Sequence, residues 1–175
     1  MKARQNQACN QPLEGWTKGD AVKFNLKETE KAYIAGFFDG EGHISITKQK
    51  PKPPRWKNPT YQLKAIITNT NEAIIDGVND SFSGVAYKHG PYASSKPDGK
   101  PMFQLHFCGL KCQAFLAEIK DYLIVKKNQA ELALQYVFLA NRTCPNKGLT
   151  DFDLVCREEQ FQLMRELNHK GVHNH

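Results

Sequence analysis

The sequence predicts an α+β domain built around one antiparallel sheet. Three observations carry that expectation. Four short segments alternate apolar and polar residues with a period of two, the signature of half-buried strands. Helix-like segments precede, separate and follow the two pairs of strands. No internal repeat is visible, which argues against a stacked-repeat architecture.

Taken in order, residues 1–26 are polar, with isolated Trp16 and Phe24, and read as an arm. A helix is expected from about Thr29, which can cap it, with Glu28 and Glu30 at its positive end. It runs through Lys31 to Gly40. The first strand covers His43 to Lys50, where Ile44 and Ile46 alternate with Ser45, Thr47 and Gln49. Pro51 to Pro59 is too proline-rich for regular structure and reads as a loop. Tyr61 to Thr70 is a second alternating strand, and Asn71 to Phe82 a short helix. Strands over 84–89 and 102–108 flank a long turn. Residues 110–122, 127–142 and 150–168 read as helices. The domain is expected to cover 27–168, with a short tail at 169–175.

A chain of 175 residues with 40% hydrophobic residues can bury a real core. Lys and Arg number 24 against 18 Asp and Glu, a net charge of +6. That balance suits a polyanionic partner without deciding for one. The five cysteines, Cys9, Cys108, Cys112, Cys144 and Cys156, are odd in number and contain no C-x-x-C pair. This spacing argues against a zinc site or a disulfide framework. The first residues lack the apolar core of a secretory signal, and no apolar run is long enough to span a membrane. The expectation is a soluble, reduced, intracellular protein with no membrane association.

One face of each strand is apolar. The other carries Ser45, Thr47 and Gln49, then Gln62, Lys64 and Thr68, then Tyr87 and His89, then Gln104 and His106. Two readings fit. One is an ordinary solvated sheet face. The other is a surface that reads base edges in the major groove, where such side chains donate and accept hydrogen bonds. The 51–59 loop adds Lys52, Arg55, Trp56 and Lys57 as candidate phosphate contacts.

The segment Ala32 to Gly42, AYIAGFFDGEG, is unusual for a helix. Ala32, Gly36 and Gly40 recur at every fourth position and so share a face. Two interior glycines cost about 1 kcal/mol each relative to Ala. Small residues so spaced let another helix backbone approach closely, either within the chain or from a second copy. Asp39 and Glu41 stand at the helix end, against its negative dipole, with Gly42 as the terminating glycine. That acidic pair calls for a cation, and a hard metal ion such as Mg²⁺ is suited to it. A solvated acidic turn is the alternative.

Ile34 to Gly42, IAGFFDGEG, resembles the LAGLIDADG motif: Ala35, Gly36, Asp39 and Gly42 match it outright. Ile34, Phe37 and Phe38 keep its apolar positions, Gly40 replaces a small residue, and Glu41 replaces the second aspartate. The order of elements after it, to about residue 168, is similar to that of the LAGLIDADG homing endonucleases. The resemblance implies an αββαββα fold, here with extra C-terminal helices, whose antiparallel sheet binds DNA. It implies a homodimer, since there is one motif, touching along Ala32, Gly36 and Gly40. It implies metal-dependent cleavage of double-stranded DNA at a long pseudo-palindromic site, with intron homing as the setting. Mg²⁺, or another divalent cation such as Mn²⁺, would be held by Glu41 with help from the Gly40 carbonyl. Asp39 would support that site from behind.

The same resemblance places Asn71 at a position that orders solvent and Lys126 at a basic active-site position, with Lys127 as the neighbouring alternative. A basic residue found in some relatives just after the Asn71 position is missing, since that stretch reads Glu72-Ala73-Ile74-Ile75-Asp76. Alternatives remain: a catalytically silent DNA-binding regulator of the same fold, an RNA maturase acting on its host intron, or an unrelated α+β binding module. The setting is an organelle (chloroplast or mitochondrion), or a bacterial or phage-infected cytoplasm. The sequence does not separate these.

Overall fold

The computed structural model describes residues 24–54, 57–93, 99–136 and 151–170. The elements run α1 (Glu28–Glu41), β1 (Gly42–Gln49), β2 (Thr60–Asn69), α2 (Glu72–Ser81), β3 (Tyr87–Tyr92), β4 (Met102–Cys108), α3 (Leu110–Ile119), α4 (Lys127–Leu134) and α5 (Asp151–Lys170). The four strands form one antiparallel sheet in the order β1-β2-β4-β3. The expected order of elements is therefore present. No helix among the described residues is long and apolar enough to cross a membrane.

The register explains the two faces. Ser45 pairs with Lys64, Thr47 with Gln62, Thr68 with Gln104, and Tyr87 with His106. Residues paired across strands share a face, so the expected polar side chains lie together. Ile44, Ile46, Leu63, Ala65, Ile67, Leu105 and Phe107 project the other way into the core. There Phe107 stacks on Phe115 of α3 at 4.1 Å, and Phe82 and Phe38 meet Phe115 edge-on at 4.9 and 5.2 Å. Phe38 is how the helix bearing the motif is anchored.

Local departures from the sequence reading have physical causes. Lys27, not Thr29, caps α1, because Glu30 folds back and accepts the Lys27 N–H at 2.8 Å. Phe24, read as part of the polar arm, is buried and meets Phe82 edge-on at 4.7 Å. β3 starts at Tyr87, not 84. Ser83 and Gly84 take positive φ angles of 56° and 67°, and the Ala86 N–H donates to Asn79 Oδ1 instead of to a strand. α3 ends at Ile119 and passes into a 3₁₀ turn over Lys120–Tyr122. α4 stops at Leu134, where Gln113 donates to the Ala133 and Tyr136 carbonyls at 3.0 and 2.9 Å. Gln135 and Tyr136 are therefore not helical as expected, and residues 137–142 of that expected helix lie outside the described residues, as do residues 1–23 of the arm and 171–175 of the tail.

α5 runs beside β1, the edge strand. Asn168 donates to the Ile44 carbonyl at 3.0 Å, and Glu158 accepts from Lys48 at 2.7 Å and from the Tyr61 hydroxyl. Such cover blunts an edge that would otherwise invite pairing with another chain.

Candidate active site and nucleic-acid interface

α1 ends where β1 begins, with no intervening loop. Gly42 allows this, but not as a left-handed cap: its φ is −91° and its ψ 161°. Its glycine is required by crowding instead. A Cβ there would stand 2.5 Å from both Cε2 and the carbonyl oxygen of Phe38. The anchor that seats α1 in the core thus also demands a glycine at its end.

The two acidic residues do different things. Asp39 is half-buried, and its carboxylate accepts three successive backbone N–H groups: Ile124 at 2.7 Å, Val125 at 3.1 Å and Lys126 at 3.0 Å. Lys126 is the N-cap of α4, so the carboxylate sits at that helix's positive end. Lys126 Nζ in turn donates to the Asp39 carbonyl. At Asp39 the compensating positive charge comes from backbone N–H groups at the start of α4. Glu41 is exposed. Burial lowers the Lys126 pKa, while the charges of Asp39 and Glu41 oppose that shift. Glu41 and Lys126 thus sense each other at the end of α1.

Replacing Asp39 by Ala would strand three donors at once. Charge-assisted hydrogen bonds are worth about 1.5–3 kcal/mol each but are not additive. The expected loss is about 3 kcal/mol of stability, measured as a lower urea midpoint. A midpoint equal to the parent's would mean that this clamp holds nothing.

Across the sheet, Ser45, Thr47, Gln62, Lys64, Thr68, Tyr87, His89, Gln104 and His106 are half-buried, and Gln49 is exposed. Lys57 and Lys52 are exposed in the loop, while Arg55 and Trp56 lie outside the described residues. Three features were not legible beforehand. His43, the second residue of β1, lies on the polar face, and partial desolvation of its ring and the Lys126 charge lower its pKa. Ile66 places an apolar patch between His43 and His106. Lys111 of α3 is buried beneath Tyr87, its Nζ 4.2 Å from the ring centroid. Asn71 is the N-cap of α2, its Oδ1 accepting the Ala73 N–H at 3.1 Å.

Superposed on solved structures, the chain matches I-Vdi141I, an archaeal intron-encoded homing endonuclease complexed with DNA. The TM-score is 0.61 at 18% identity, over 81% of this chain and 86% of that one. I-GzeII, a LAGLIDADG homing endonuclease in complex with its DNA target, matches with a TM-score of 0.55 at 15% identity, over 77% of this chain. This chain has the LAGLIDADG homing endonuclease fold. It spans only 43% of I-GzeII. I-CvuI matches in two complexes with DNA, each with a TM-score of 0.51. One, in the presence of 2 mM Ca, is 22% identical over 61% of this chain and 64% of that one. The other, in the presence of 2 mM Mg, is 17% identical over 83% and 96%. No protein-family model and no curated protein matches the chain.

In this LAGLIDADG fold the end of α1 presents oxygen donors of the kind a hard divalent cation takes. Among the described residues no group of three or more His, Cys, Asp or Glu is placed to hold a metal. With Asp39 engaged by N–H groups, one chain offers the Glu41 carboxylate and main-chain carbonyls. Mg²⁺ accepts one or two carboxylates if phosphate oxygens and water complete its shell. The donor set of one chain therefore fits a hard cation only where oxygen ligands from elsewhere complete its shell.

His106 and His89 lie with ring centroids 4.4 Å apart, and His106 Nε2 is 3.0 Å from Gln104 Oε1. Burial, followed by the charges of His89 and Lys64, pushes the His106 pKa down to about 4 from 6.5. The unfolded chain thus takes up this proton at a higher pH than the folded one. The stability involved is complete above pH 6.5 and is lost as the pH falls towards about 4. His106→Gln is expected to flatten the urea midpoint across that window. An equally steep fall in the variant would put the dependence on other groups.

Proposed function

We propose that this chain is a homodimeric, metal-dependent endonuclease that cuts double-stranded DNA at a long, pseudo-palindromic sequence, in the setting of intron homing. The observation that carries the reading is the division of labour at the end of α1. Asp39 is consumed in clamping the 124–126 backbone, and this leaves Glu41 exposed beside Lys126.

Glu41, with the Gly40 carbonyl, would hold Mg²⁺ or Mn²⁺. A metal so held supplies an activated water and stabilises the leaving oxygen. Lys126, fixed by Asp39 at both its N–H and its Nζ, would put a positive charge beside the scissile phosphate. Ser45, Thr47, Gln49, Gln62, Lys64, Thr68, Gln104 and His106 would face base edges, with Tyr87 and His89 at the far strand. Lys52 and Lys57, with Arg55 in the same loop, would meet the backbone.

Two copies would meet on α1. Gly36 and Gly40 are exposed, and a Cβ at either would find no atom within 4 Å. Among the described residues nothing requires glycine there, and the close approach of a second copy's backbone would account for the choice. Parallel pairing would bring both Glu41 carboxylates to one end.

A catalytically silent regulator of the same fold draws support from Asn71, whose oxygen caps α2. A maturase would share the basic face with host intron RNA. A randomised duplex library incubated with the protein in Mg²⁺ and in EDTA separates these. Metal-dependent double-strand breaks at one roughly palindromic sequence support the endonuclease. Specific binding with no breaks rejects it in favour of the regulator or maturase.

A further inference from the structure

We propose that Ile66 reads a thymine, packing against the 5-methyl group that this base alone presents in the major groove. This rests on the reading of the sheet as a duplex-DNA surface and names a contact that reading does not supply.

On β1 and β2 the polar face is built of His, Ser, Thr, Gln and Lys side chains, with one aliphatic exception, Ile66. Ile66 is half-buried on β2, an interior strand of the sheet. Lys64 and Thr68 stand on either side of it along the strand, and His43 and His106 are its partners across it. His106 brings no charge to this spot. Its Nε2 is 3.0 Å from Gln104 Oε1, so that nitrogen is already engaged. Partial burial, then the charges of His89 and Lys64, hold its pKa at about 4, which leaves the ring neutral at ordinary pH. The side chain to be matched here is therefore a hydrocarbon one.

What an isoleucine can match is limited. Every base-pair edge in the major groove carries hydrogen-bonding groups, and thymine alone adds a methyl group. Packed against a cytosine amino group or a purine N7, Ile66 would strip water and return no hydrogen bond. Packed against the thymine methyl, it removes apolar surface on both sides from water. Cytosine has the amino group and lacks the methyl, so the contact that favours thymine also rejects cytosine. Residues two apart on a strand are about 6.6 Å apart, close to two base-pair rises of about 3.4 Å. Lys64, Ile66 and Thr68 thus address different base pairs, and the thymine lies between those met by the two polar side chains.

The test uses the full chain and the duplex recovered from the randomised library, with deoxyuridine replacing one thymine at a time. Uracil pairs as thymine does and lacks only the methyl group. Affinity is read by gel-shift titration in EDTA, so that nothing is cut, and circular dichroism checks folding. In the parent, one thymine in each half-site is expected to lose about fourfold in affinity on this change, the worth of one buried methyl-sized group. Cytosine at the same position is expected to cost at least about tenfold. In Ile66→Ala and Ile66→Gln the uracil effect is expected to vanish, while Ile66→Val keeps part of it. Thymine is compared with uracil within each variant, so a general loss of stability or affinity cancels. If the variants bind both duplexes more weakly by one factor and keep the parent's ratio, Ile66 serves only the packing of β2 and the inference fails. If no thymine of the parent's site responds to uracil, it fails as well, with specific DNA binding still standing. A parent that selects no sequence from the library overturns the DNA reading and the thymine contact together.

Discussion

Replacing Glu41 by Gln is expected to leave dimerisation and duplex binding near the parent's, while cleavage in Mg²⁺ falls by at least about a thousandfold. The substitution is close to isosteric, and Glu41 is exposed at the helix end, so packing has little to lose. What is lost is the anionic oxygen that a hard cation prefers. Asp39 cannot take over, although it is only two residues away. Its oxygens are bound to three N–H groups, and turning it outwards would release the 124–126 segment. Removing the metal with EDTA is expected to reproduce the variant's behaviour in the parent. Linearisation of a plasmid carrying the target site is the readout, with gel-shift titration for binding. Full cleavage by Glu41→Gln in Mg²⁺ would sink the proposed centre.

The parts of this molecule that the sequence made legible are those set by local periodicity. The alternation of Ile44 and Ile46 with Ser45 and Thr47 fixed both the strand and its faces, and the register with β2 then followed the same parity. The nine residues from Ile34 to Gly42 pointed to the site because their small and acidic residues run against helix preference. What stayed hidden depends on contacts between distant parts of the chain. Asp39 binds N–H groups 85 to 87 positions away. No local pattern distinguishes a carboxylate so employed from one waiting for metal, and only the resemblance to the motif gave Asp39 a supporting role apart from Glu41. Lys111 beneath Tyr87 and the contact of His89 with His106 likewise need the strand order β2-β4-β3. Gly42 was recognised as a helix end but for the wrong reason, since crowding by Phe38 leaves no trace in spacing. The free space at Gly36, Gly40 and Gly77 can be known only after the fold is built.

Lys126→Ala is expected to separate chemistry from binding. The single-turnover cleavage rate should fall about 10²–10³-fold, the range seen when one preorganised electrostatic group is removed from a transition state. Duplex affinity should change far less, because one phosphate contact among many shifts the salt slope by only about one unit. The interpretation is clean because the Lys126 backbone N–H, not its side chain, holds the Asp39 carboxylate. Alanine keeps that bond, so the loop and the N-terminus of α4 stay in place while Nζ is removed. Truncation also releases the bond from Nζ to the Asp39 carbonyl, and the urea midpoint shows whether stability moves with it. Lys127→Ala, an exposed neighbour one residue into α4, controls for loss of net charge and is expected to cut like the parent. Lys126→Arg keeps the charge but not its point-like geometry and is expected to recover part of the rate. If Lys126→Ala cleaves as fast as the parent, the lysine is only a cap on α4. If Lys127→Ala is the slow variant instead, the basic role belongs to the next residue along the same helix.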